Sequence, residues 1–177
     1  NARGDDFYSM NYRVDHNVTD KQRVFVRYSR NDRREYRGNW IGELNGIRPI
    51  GNYLFRINDA INADHVWTMT PSSLLNVRGS WSRFKEPNQR QHQGIFDPAS
   101  LGFPASTTQY FGSNKYFPLI DLDQYADIGQ NFAGAQNSSI WSFQPTWTLM
   151  RGKHTFRTGY DFRVYDNEQF PDVHSAG

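Results

Sequence analysis

Trp141-Ser142-Phe143-Gln144-Pro145-Thr146-Trp147-Thr148-Leu149, followed beyond Arg151-Gly152-Lys153 by Phe156, Thr158, Tyr160, Phe162 and Val164, is the stretch that decides the fold. In the first run large apolar side chains take every second position, and Ser, Gln and Thr take the positions between. In the second run Arg157, Asp161 and Arg163 fall between the rings. Successive side chains of an extended strand point to opposite faces, so period 2 means one apolar face and one polar face. The spacing predicts two such strands, joined by a short glycine-containing turn into an antiparallel hairpin.

The same grammar occurs twice more. Tyr8, Met10, Tyr12 and Val14 alternate with Asn11, Arg13, Asp15 and Asn17; after Thr19-Asp20-Lys21-Gln22 the residues Val24, Val26 and Tyr28 oppose Phe25, Arg27 and Ser29. Ile61, Ala63, His65, Trp67 and Met69 alternate with Asn62, Asp64, Val66 and Thr68. Thr70-Pro71-Ser72-Ser73 then turns the chain into Leu75, Val77, Gly79 and Trp81, facing away from Asn76, Arg78, Ser80 and Ser82. The reading is an all-β chain of up-and-down hairpins with about six long strands. The hairpins are placed at about 7–35, 53–86 and 137–166 in a single β-domain over 1–177. Between them lie long loops, 36–52 and 87–136, rich in Gly, Pro and Asn. Within the second, Asp97-Pro98-Ala99-Ser100-Leu101-Gly102 predicts one helical turn with Asp97 as cap and Gly102 as stop.

Composition narrows the class. The 177 residues are 16% aromatic yet only 37% hydrophobic, so apolar weight is carried by rings and not by the Val/Ile/Leu runs that buried parallel strands require. Twenty Lys and Arg stand against 18 Asp and Glu, a net charge of +2. That excess is too small for phosphate-backbone binding by counterion release, so nucleic acid is not expected as a partner. No cysteine is present, which excludes disulfides and Cys-based metal sites. No run of about 18 apolar residues exists to form a spanning helix.

Chemical motifs are absent. The sequence contains no Gly-x-Ser-x-Gly, no His-Glu-x-x-His, no phosphate-cradling glycine loop and no carboxylate pair beside a histidine, so no catalytic residue, cofactor or metal site is expected. His16, His65, His92, His154 and His174 are scattered with no ligand spacing. Asp121-Leu122-Asp123 lacks the further oxygen ligands of a calcium loop.

Lipid offers no hydrogen bonds, so a spanning sheet must pair its whole backbone and turn an apolar face outward, while the lumen face may be polar. The alternation satisfies that demand, and short turns alternating with long loops match the two ends of an outer-membrane barrel. A soluble β-sandwich also alternates, and periodicity alone leaves both open. On the barrel reading Arg13, Arg78 and Arg157 are lumen-face polar residues, and Tyr8, Tyr28, Trp67, Trp81, Trp141 and Trp147 are girdle candidates. Tyr110, Phe111, Tyr116 and Phe117 form a possible ligand or self-contact loop. The run Arg27, Arg30, Arg33, Arg34, Glu35 and Arg37 reads as a solvated strand end or a contact for anionic lipid.

Four phrases at the hairpin ends resemble the barrel region of Oar-like TonB-dependent outer-membrane receptors. They are Arg13-Val14-Asp15-His16-Asn17 followed by Phe25-Val26-Arg27-Tyr28-Ser29; Thr70-Pro71-Ser72-Ser73-Leu74-Leu75-Asn76 with Arg78; Asp97-Pro98-Ala99-Ser100-Leu101-Gly102-Phe103-Pro104; and Gly152-Lys153-His154-Thr155-Phe156-Arg157-Thr158-Gly159-Tyr160-Asp161-Phe162-Arg163. The resemblance implies a non-enzymatic barrel segment of a receptor in the bacterial outer membrane, in contact with lipopolysaccharide. Contact with TonB would come through parts of the receptor not recognised in this sequence. About six strands fall short of the roughly eight that close a barrel, which leaves two edges open for pairing with copies of the chain. The alternatives are a structural fragment, extracellular if released, that assembles into a filament or tube, and a soluble carbohydrate-binding sandwich.

Overall fold

The computed structural model describes residues 4–38, 41–44, 48–90, 96–111, 117–129 and 134–171, with the backbone alone at 111 and 171. Seven strands make one antiparallel sheet: β1 (Gly4–Thr19), β2 (Gln22–Arg37), β3 (Asn52–Thr70), β4 (Ser73–Arg90), β5 (Gly134–Arg151), β6 (His154–Gly159) and β7 (Phe162–Pro171). Their spatial order is β1-β2-β3-β4-β5-β6, with β7 also on β5, and with β6 and β7 taken as one run every neighbour in the sheet is a neighbour in sequence. This is the up-and-down meander that the alternation predicts. The sheet is not closed: β1 is one edge and β6 with β7 the other. Among the described residues there is one sheet with no second sheet packed on it, which corrects the sandwich alternative, whose core lies between two layers.

β6 and β7 are one extended run with a local interruption. Gly159 pairs with Thr146 and Phe162 with Phe143, so the register on β5 continues unbroken across Tyr160 and Asp161. The residue opposite the gap is Pro145, which has no N–H to give to the ladder. Its carbonyl still accepts from the Tyr160 N–H at 3.0 Å. Six long runs therefore build the wall, as the sequence predicts, and a proline on the neighbouring strand divides the last of them.

The turns at one end are tight. Thr19 Oγ1 accepts from the Lys21 N–H at 3.2 Å and Thr70 Oγ1 from the Ser72 N–H at 3.3 Å. Gly152 supplies a left-handed φ of +61° at the third turn, a conformation that costs glycine nothing. At the other end lie the long connections. Pro98–Leu101 forms the predicted turn, a 3-10 helix in which Asp97 accepts from the Ala99 N–H and Gly102 stops the chain at φ +81°. A short helix α1 (Ala105–Thr108) follows. Phe96 and Phe117 are buried against each other with Leu101, Ile120 and Ile128 around them, giving this loop a small core of its own.

Candidate functional site

Directly paired residues of an antiparallel sheet share a face, so the registers can be read as rows across the whole wall. Four rows on one face are Tyr12-Tyr28-Ile61-Trp81-Trp141-Val164, then Val14-Val26-Ala63-Gly79-Phe143-Phe162, then His16-Val24-His65-Val77-Pro145 with Tyr160, and finally Gln22-Trp67-Leu75-Trp147-Thr158. They contain no Asp, Glu, Lys or Arg, although many of their members, such as Phe143 and Phe162, are about half exposed. A face of this size that is both apolar and uncovered demands an apolar surrounding.

The rows are bounded by aromatics. Trp81 and Trp141 stand opposite each other with ring centroids 5.9 Å apart, and Tyr12 and Tyr28 continue their row. Trp67 and Trp147 close the row near the tight turns, where the Trp147 indole N–H donates to Ser73 Oγ at 2.9 Å. One further row toward the turns adds Leu149 and Phe156. From Trp141 to Leu149 the apolar span is roughly nine residues, the length of a tilted strand crossing a bilayer (about 9–11). The strands themselves have 16 to 19 residues in the five longest cases, so they project well beyond that span.

Charge begins abruptly past the Trp81 row. The next row on that face is Met10-Arg30-Asp59-Arg83-Ser139-Asp166, and the one beyond is Tyr8-Asp32-Ile57-Lys85-Asn137-Glu168. Asp59, only 4% exposed, accepts from the Tyr28 hydroxyl at 2.9 Å, Arg30 at 3.1 Å and Arg83 at 3.3 Å. Burial raises the pKa of its carboxyl, but the hydrogen bonds from Tyr28 and Arg83 and the charges of Arg30 and Arg83 outweigh it, holding the group below its ordinary value. Tyr8, one of the girdle candidates, sits past this charged row and not in either aromatic row.

The opposite face is predominantly polar over the same span. Its rows are Arg13-Arg27-Asn62-Ser80-Ser142-Arg163, then Asp15-Phe25-Asp64-Arg78-Gln144, then Asn17-Arg23-Val66-Asn76-Thr146-Gly159, then Thr68-Leu74-Thr148-Arg157. Arg13, Arg78 and Arg157, the three lumen-face residues read from sequence, all lie here and all are exposed. Arg13 forks onto Asp15 at 2.7 and 2.8 Å and stacks over the Phe25 ring at 4.1 Å. Arg78 donates to Asp64 at 2.7 Å, and Arg163 holds Asp161 through two bonds near 3 Å. A cleft of about 340 Å³ opens on this face, lined by Phe25, Arg27, Asn62, Arg78, Ser80 and Gln144 among others.

The loop residues read from sequence do not form one exposed cluster. Tyr110 is 72% exposed, whereas Phe117 is buried in the loop core; Tyr116 and the Phe111 side chain lie outside the described residues, as do His92 and His174. The arginine-rich run divides between the faces. Arg30 and Arg34 share the apolar face's charged margin, while Arg27, Arg33, Glu35 and Arg37 lie on the polar face, where Arg33 forks onto Asp5 at 2.6 and 2.9 Å. Among the described residues no group of three or more His, Asp or Glu side chains is arranged to hold a metal. Among the described residues no helix is long and apolar enough to cross a membrane, which does not bear on strands.

An uncovered apolar face edged with aromatics, a polar face behind it, tight turns at one end and long loops at the other define the wall of an outer-membrane β-barrel. The family model described as an outer membrane beta-barrel domain matches residues 1–177, and the chain belongs to that family. Its place is the outer membrane, with the apolar rows toward lipid and the polar rows toward the lumen. No curated protein and no solved structure matches the chain.

Proposed function

We propose that the chain is a non-enzymatic barrel segment of an Oar-like TonB-dependent receptor, contributing lipid-facing wall and lumen surface and no chemistry. The observation that carries the non-enzymatic part is the pairing of the polar face: in the four rows behind the apolar span the three aspartates are tied to arginines, and no histidine of the described residues stands there. The four hairpin-end phrases that resemble such receptors support the finer assignment. TonB would be engaged by segments other than this wall, and the margin of Arg30, Arg34, Arg83 and Lys85 would meet the phosphates of lipopolysaccharide. The test is crosslinking in intact cells between TonB and the protein that carries this wall. TonB recovered with it supports the reading; no crosslink from a folded, surface-exposed protein refutes it.

A second reading has its own support in the two open edges. β1 and the β6/β7 run each present an unpaired ladder, a template for another strand. On this reading a segment that stands alone pairs edge to edge with its copies, as a closed ring in the membrane or, when released, as a filament or tube outside the cell. Light scattering in detergent and in water distinguishes a defined oligomer or polymer from a monomer, and a stable monomer in both sinks the idea.

A further inference from the structure

The polar face is unevenly charged. Within the four rows that back the apolar span it carries six arginines, no lysine and, counting Asp161 beside Gln144, three aspartates. The chain as a whole has a net charge of only +2, so the excess at this level exceeds that of the entire molecule. The three aspartates are all occupied. Asp15 takes Arg13 at 2.7 Å and Arg23 at 3.1 Å, Asp64 takes Arg78 and the Asn76 amide at 2.7 Å each, and Asp161 takes Arg163.

Arg27 has no such partner among the described residues. It stands directly opposite Arg13, and like charges directly opposed across strands are destabilising. Its other neighbour in the row is Asn62, a group that can donate to an anion but cannot neutralise Arg27. Two strands further, Ser80 and Ser142 share a hydrogen bond of 2.6 Å. These groups border the 340 Å³ cleft, with Phe25 on one side; the Asp64 carboxylate also lines it, but is taken up by Arg78 and Asn76. A cleft of that volume falls in the range that holds a small solute. A guanidinium with its fork unoccupied, an amide and the one hydroxyl proton that the Ser80–Ser142 pair leaves free form a donor set for a planar or tetrahedral oxyanion.

We propose that this cleft is a binding site for a small solute bearing a carboxylate or phosphate, with Arg27 as its charge-bearing residue, Asn62 and Ser80 as orienting donors, and Arg13 and Arg163 of the same row as the field that draws the anion in. The proposal rests on the polar face being the lumen side of the wall.

The test uses the whole protein folded in detergent micelles, with inorganic phosphate followed by ³¹P line width and citrate by the width of its methylene proton line. Folding is checked separately by the shift of the unheated protein on a denaturing gel, so failure of the barrel reading shows as an unfolded sample and failure of the site does not. Arg27→Gln is expected to weaken binding at least tenfold, and Arg27→Lys to retain an intermediate affinity because it keeps the charge and loses the fork. Arg157→Gln, on the same face but outside the cleft lining, is expected to change affinity less than twofold. Broadening of phosphate alone, citrate alone or both identifies the favoured group and supports the site, provided Arg27→Gln abolishes it. Broadening of neither line by the folded protein, or equal broadening with Arg27→Gln, overturns it.

Discussion

Trp81 and Trp141 face each other across β4 and β5, at the row where the apolar face ends and the Arg30-Asp59-Arg83 row begins. Indole rings favour the zone between hydrocarbon and headgroup, where one side is apolar and the N–H can reach water. This pair marks the outer boundary of the bilayer on the wall, and Trp67 with Trp147 marks the inner one. Single-tryptophan variants keeping either Trp141 or Trp147, reconstituted with lipids brominated at different depths, should both be quenched most strongly by shallow bromines. Quenching greatest from deep bromines would displace the boundary.

Charge tolerance should differ between adjacent residues. Phe143 lies within the apolar rows, two residues inside the Trp141 boundary, and Ser142 beside it on the polar face. Phe143→Arg should cost about 1–3 kcal/mol of folding stability in a bilayer, between the penalty for a lipid-side cation at midplane and that at the interface. Ser142→Arg should cost well under half of that. Urea titration of the reconstituted protein provides the comparison.

Gly159 faces the Pro145 carbonyl so closely that an added Cβ would lie 2.7 Å from that oxygen and 3.1 Å from Thr146 Oγ1. The backbone acceptor cannot rotate away, so the strand must shift where Pro145 already interrupts the ladder. Gly159→Val should destabilise on the order of 1–3 kcal/mol, the usual range for forcing atoms into a filled space. The same titration reads the effect, with Gly152→Ala as a turn control that meets open space but has the strained φ of +61°.

Acid should loosen the outer margin. Asp59 is held below the ordinary carboxyl value of 3.8, despite burial, by Tyr28, Arg83 and Arg30. Asp5 is likewise held down, chiefly by its hydrogen bond from Arg33. A carboxyl whose folded pKa is depressed contributes stability that is present above its unfolded pKa and lost as pH falls through the folded one. Stability should therefore decline as pH drops below 3.8, and Asp59→Asn should be less stable at neutral pH and show a shallower decline. Parallel slopes for the two proteins would remove Asp59 from the account.

Much of the wall is legible from local pattern. Trp141 through Leu149 and Phe156 through Val164 announce their faces by period alone, and Thr19-Asp20-Lys21-Gln22 announces a turn. Asp97 through Gly102 states its cap, its first position and its stop. What the pattern leaves out is set by partners far away in sequence. Arg13 meets Asp15 two residues on, which alternation allows, but the Asp59 contacts with Tyr28 and Arg83 depend on two registers at once. The break between β6 and β7 comes from Pro145 on another strand. Burial of Phe117 requires Phe96 to come back across the loop, for which no periodic signal exists. That Arg27 has no carboxylate partner among the described residues is visible only when every neighbour's partner is known.

One face of this sheet meets lipid and the other meets water. The chain has no cysteine, so single spin labels can be placed without background. Labels at Phe143→Cys and Ser142→Cys, measured in bilayers against molecular oxygen and a water-soluble nickel chelate, test it most directly. The first should be relaxed mainly by oxygen and the second mainly by the chelate. Equal access of the chelate to both sites would contradict the account.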